Sequence, residues 1–130
     1  MKNKKPPIGI IPIFVDVLTH NIFVSYGISY KKFVELQETY IIEVPLEEKE
    51  FGDGCCLLAT HKSGQELLWI WTKRKSVATL AHECIHAIFK LFDSRGIPIT
   101  YENQETFAYF VRYLIQEVLD FEKENKKQRR

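Results

Sequence analysis

Three cysteines in 130 residues are too few, and odd in number, for a disulfide framework: Cys55 and Cys56 are adjacent, and Cys84 falls in a helical stretch. Adjacent strand cysteines point to opposite faces and lack C-x-x-C spacing, so Cys55 and Cys56 are poorly suited to holding one ion. No run approaches the ~20 apolar residues that span a bilayer, which excludes a transmembrane role. Residues 1–18 set lysines before an apolar run, as a secretory signal does, but Pro12 and Asp16 interrupt it and no small-residue cleavage site follows. A cytoplasmic location is expected. Internal repeats and low-complexity linkers are also lacking.

Net charge is scarce as well, because 18 basic and 17 acidic residues leave +1. The cancellation hides an uneven distribution. Lys2, Lys4 and Lys5 lie at one end, five basic against two acidic residues lie from Glu122 to Arg130 at the other, and the body between them carries −5. An acidic body argues against nucleic acid as a partner, since such grooves cluster Lys and Arg to displace counterions. What the chain has in quantity is core material, with 45% apolar and 13% aromatic residues. The length suits one domain over 1–130, with 1–7 and 122–130 as solvated tails.

Residues 8–18 and 21–26 are rich in β-branched and aromatic side chains around a turn at Thr19-His20-Asn21, the pattern of a hairpin. From Ser29 to Tyr40 the spacing turns helical, with Phe33, Leu36, Gln37 and Tyr40 on one stripe and Ser29 as N-cap. Ile41, Ile42 and Val44 read as a short strand ended by Pro45, and 47–50 as a solvated acidic loop before the turn Gly52-Asp53-Gly54. Residues 55–60 and 66–72 flank His61-Lys62-Ser63-Gly64 as a second hairpin. A long helix follows over 77–94, with Ser76 as N-cap and Gly96 as terminator, and a last helix over 103–121. The expected fold is α+β: a small, mostly antiparallel sheet packed against an early helix and a C-terminal helix pair.

The first helix of that pair carries His82-Glu83-Cys84-Ile85-His86, an H-E-x-x-H sequence. Histidines four residues apart share a helical face, so both imidazoles can reach one zinc ion at about 2.0–2.1 Å. Glu83, about 100° round the helix, is placed to reach a metal-bound water rather than the metal, as a general base requires. Cys84, on the opposite side, belongs to the core.

Catalytic zinc usually takes a third protein ligand. Asp93 shares the histidine stripe but lies about 10 Å further along the axis. The metzincin extension fails, because Phe89 stands at its glycine and Phe92 at its third ligand. Glu102 and Glu105 open the final helix, and an antiparallel return around Gly96 to Pro98 could bring either near His86. Glu105 is favoured, being within the helix with small Ala108 one turn on; Glu102 suits the positive helix terminus.

His82-Glu83-x-x-His86 with Glu105 nineteen residues later resembles the gluzincin arrangement of thermolysin-like metallopeptidases. More closely, Leu80-Ala81-His82-Glu83-Cys84-Ile85-His86-Ala87, Gly96-Ile97 and Asn103-Gln104-Glu105-Thr106-Phe107-Ala108-Tyr109 resemble small zinc peptidases of phages and prophage-like elements. The resemblance runs from Ser76 to about Leu119, and weakly back to Trp69 and the Asp53-Gly54 turn. It implies a minimal zincin-like domain in which His82, His86 and Glu105 bind Zn2+ and Glu83 is the catalytic base, deprotonating the attacking water and later protonating the leaving amine. A peptide or protein is the implied substrate.

Larger gluzincins add a domain that stabilises the oxyanion. Here Tyr109 or Arg112, then Tyr101 or His61, are the candidates for that donor. The resemblance implies that the strand Glu66–Thr72 borders the cleft and pairs with an extended substrate; Trp69 and Trp71 share one face and Leu68 and Ile70 the other, and the favoured reading of the tryptophans is core. The alternative reading is a catalytically weak or inactive zinc-binding interaction module of a mobile element.

Overall fold

The chain begins with a hairpin, β1 (Ile11–Val15) and β2 (His20–Tyr26), with a 3-10 turn at Asp16–Leu18 between them. Helix α1 (Tyr30–Tyr40) follows, then a second hairpin, β3 (Gly54–Thr60) and β4 (Glu66–Thr72), and two longer helices, α2 (Val77–Ser94) and α3 (Gln104–Gln128). The structure is a computed structural model and describes residues 8–18, 20–42 and 51–128.

The architecture is α+β, but the sheet is mixed rather than mostly antiparallel. Its order is β1-β2-β4-β3, and the central pair, β2 with β4, is parallel, with Ile22 opposite Leu68 and Val24 opposite Ile70. The two hairpins are antiparallel as expected. β4 is therefore paired along both sides and buried from Leu67 to Thr72. Its nearly unbroken apolar run is what a strand covered on both faces requires. This corrects the expectation that Glu66–Thr72 pairs with a substrate, because no backbone edge is left on it.

Side-chain alternation along β4 divides the core. Trp69 and Trp71 point to the α1 face. There the Phe33 ring stacks on Trp71, centroids 5.2 Å apart and planes at 3°, and meets Trp69 edge-on at 5.5 Å. Both indoles also satisfy their N–H groups: Trp69 Nε1 donates to Ser25 Oγ at 2.9 Å, and Trp71 Nε1 to the Ile28 carbonyl at 2.7 Å. Leu68 and Ile70 point the other way, into a core with Leu80, Cys84, Ile88, Leu114 and Val118 from α2 and α3. The sheet thus lies between α1 on one face and the α2–α3 pair on the other.

Local signals set the helix starts. Ser29 Oγ accepts from Lys32 N at 3.2 Å, and Ser76 Oγ from Thr79 N at 3.2 Å. Gly96, at φ 68°, takes the left-handed conformation that ends α2. Two expectations need correction. Ile41 makes an isolated antiparallel bridge to His61 and begins no strand, since the chain bends at Ile42; Val44 and the acidic loop 47–50 lie outside the described residues. The last helix runs on to Gln128, past Phe121, so 122–128 is helix rather than tail; 1–7, 129 and 130 lie outside the described residues. Glu122 on this extension accepts from Lys75 Nζ at 2.6 Å, tying it to the segment before α2. Among the described residues, no helix is long and apolar enough to cross a membrane.

Candidate metal centre

Helix α2 buries Leu80, Cys84, Ala87, Ile88, Leu91 and Phe92 and leaves the opposite side, His82, Ile85, His86 and Phe89, open. That division follows from the 3.6-residue period. The exposed stripe brings the two histidines together. Their Nε2 atoms are 3.2 Å apart and their ring centroids 4.8 Å, with planes at 72°. Two imidazole nitrogens bound at about 2.0–2.1 Å to one tetrahedral zinc stand about 3.3 Å apart. The separation matches that of two such ligands, and in the metal-free protein it is a hydrogen bond between the two rings whose direction depends on their tautomers.

Glu83 lies at the edge of the buried face, only 7% exposed. With His82 it lines a cleft of about 350 Å³ whose other walls are Asp53, Gly54, Ala78 and Thr79. The start of β3 thus faces the first turns of α2 across the opening. Burial pushes the Glu83 carboxyl above its usual value, and His82, His86 and Lys90 pull it back.

The remaining candidates lie elsewhere. Glu105 is exposed in the first turn of α3, and Glu102 is exposed in the turn before it. Phe92 packs against Phe107 and Phe110, and this contact sets the antiparallel register of α2 and α3. Glu105 stands two residues before Phe107, toward the end of α2 that carries Phe92. Among the described residues, no three His, Cys, Asp or Glu side chains are grouped so as to hold a metal.

Tyr101 and Tyr109 are exposed, and Arg112 lines a separate apolar groove with Ile85, Phe107, Ala108 and Val111. His61 lies at the far end of β3 from Gly54, where its Nδ1 is 2.9 Å from Ser63 Oγ and takes the Ser63 N–H at 3.0 Å. Cys84 is buried in the core as expected. Cys55 and Cys56 pack into opposite layers, Cys55 with the α1 side and Cys56 with the α2 side.

Sequence reasoning passed over Gly54 as a wall of the cleft. The available signal was a glycine at the head of a strand, which marks a close approach of another element. Comparison of the chain with protein-family models, with curated proteins and with solved structures found no match.

Proposed function

We propose that the protein is a zinc-dependent metallopeptidase with a minimal zincin-like fold. The observation that carries this reading is the 3.2 Å separation of the His82 and His86 Nε2 atoms beside a nearly buried glutamate. His82 and His86 would hold the metal through Nε2. Glu105 is assigned the third position on the resemblance alone. When bound, zinc supplies Lewis acidity at a peptide carbonyl and acidifies water. Glu83 takes the proton from the attacking water and passes it to the leaving amine, so one carboxyl serves as base and then as acid. Ser76, by capping α2, and Leu80, Cys84 and Ile88, by anchoring its buried face, hold the three polar side chains in a fixed relation to β3.

The test combines metal analysis with turnover of a peptide library. Wild-type protein and Glu83→Gln are expected to bind one zinc each, with cleavage lost in the variant. His82→Ala and His86→Ala are expected to lose the metal. Full cleavage by Glu83→Gln refutes the assigned base. Absence of any zinc binding, with no rise in melting temperature on adding zinc, refutes the metal site itself. Zinc binding without cleavage of any peptide leaves a zinc-binding interaction module.

A further inference from the structure

Gly54 has no need of glycine for its backbone, since the positive-φ glycines among the described residues are Gly9, Gly27, Gly52, Gly64 and Gly96. What it provides is room. A Cβ built there would lie 2.9 Å from the Trp71 carbonyl oxygen, 3.0 Å from Thr79 Cγ2 and 3.3 Å from Glu83 Oε2. The Trp71 oxygen cannot retreat, because it belongs to the central strand and its side chain is stacked on Phe33. Besides that oxygen, the atoms a side chain at position 54 would press on are on the α2 side, in Thr79 and the Glu83 carboxylate. His82 and His86 project from the exposed stripe and are not among the atoms closest to that point.

We propose that Gly54 is a positioning residue: its missing side chain forms the slot that fixes the Glu83 carboxylate at the cleft, independently of the histidine pair. The proposal rests on the metallopeptidase reading for its catalytic consequence, but not for the placement of the carboxylate. A displacement of a few tenths of an ångström to one ångström at a reacting group lowers rates by up to about a hundredfold. Zinc affinity depends on His82 and His86, which are not among the atoms closest to the added Cβ, and is expected to stay unchanged.

The experiment compares wild type, Gly54→Ala and the double variant Gly54→Ala/Thr79→Ser, in which the methyl nearest the new Cβ is removed. Zinc affinity is measured by chelator competition, kcat and KM on a cleaved peptide, and the carbon resonance of the Glu83 carboxyl by NMR on the metal-free protein. Gly54→Ala is expected to keep wild-type zinc affinity and KM, to lose at least about tenfold in kcat and to shift the Glu83 resonance while the His82 and His86 ring signals stay in place. The double variant should recover part of both changes. An unmoved Glu83 resonance, an undiminished kcat, or an equal loss of zinc affinity overturns the proposal. If neither variant folds, Gly54 is required by the β3–α2 packing as a whole, which also overturns it. A wild-type protein that cleaves nothing defeats the metallopeptidase reading, and the NMR comparison still decides whether Gly54 places Glu83.

Discussion

Phe92 of α2 and Phe107 of α3 meet edge to face, with centroids 5.6 Å apart and planes at 89°. With Phe110 at 5.9 Å on the same ring, Phe92 is the point at which the two helices are locked in register. Phe92→Ala is expected to destabilise the protein by about 3–5 kcal/mol, the range for truncating a fully buried aromatic ring. Urea unfolding of the metal-free protein measures it.

Glu105 is the most informative proposed ligand to remove, because no third His, Cys, Asp or Glu is grouped with the histidine pair among the described residues. On the proposal that Glu105 is the third zinc ligand, Glu105→Gln should lower zinc affinity by at least about tenfold, since even outer-shell partners of a metal cost that much. Chelator competition gives the number. Wild-type affinity in this variant removes Glu105 from the site and leaves the histidine pair standing.

Acid sensitivity should centre on His20. Burial and, after it, the Arg95 guanidinium hold this imidazole below its ordinary value of 6.5, against a weaker opposing pull from Glu66. The folded protein thus resists a proton that the unfolded chain accepts. Stability is full above about 6.5 and falls as the pH drops through the unfolded value toward the folded one. Melting temperatures between pH 8 and 5 should decline in the wild type and decline less in His20→Gln; identical curves would remove His20 as the cause.

The thiols should be inert while the fold is intact. Burial, above all, pushes Cys55, Cys56 and Cys84 each to about 12, so about one in ten thousand is a thiolate at pH 8. Mass spectrometry after iodoacetamide at that pH is expected to find no modification of native protein and three modifications after unfolding. Labelling of native Cys84 contradicts its burial, and labelling of half-buried Cys55 or Cys56 contradicts the raised thiol values.

Elements set by neighbouring residues were legible in the sequence. Ser29 and Ser76 cap the helices they precede, and the alternation of Leu68, Trp69, Ile70 and Trp71 separates two cores. The H-E-x-x-H spacing likewise foretold that the two imidazoles meet. Partner choice between distant segments was not legible. The parallel pairing of β2 with β4 joins two hairpins that each satisfy a local pattern, so nothing within either one announces the other. The distance of Glu105 from His86 depends on how Phe92 and Phe107 interlock, which spacing along one helix does not encode.

The chain runs hairpin–helix twice, β1-β2-α1 and then β3-β4-α2, before α3 closes the second core. Every wall of the metal-centre cleft, from Asp53 to Glu83, and His86 beyond it, comes from the second of these units. The first unit is thus a buttress: it supplies the neighbour strand and the Phe33 backing for Trp71 and none of the residues lining that cleft. Contacts within each unit are short in sequence and should form early, whereas the β2–β4 seam, which pairs Asn21 with Leu67, needs a long loop to close. In pulsed hydrogen exchange during refolding, the amides of that seam are expected to gain protection after those of the two hairpins.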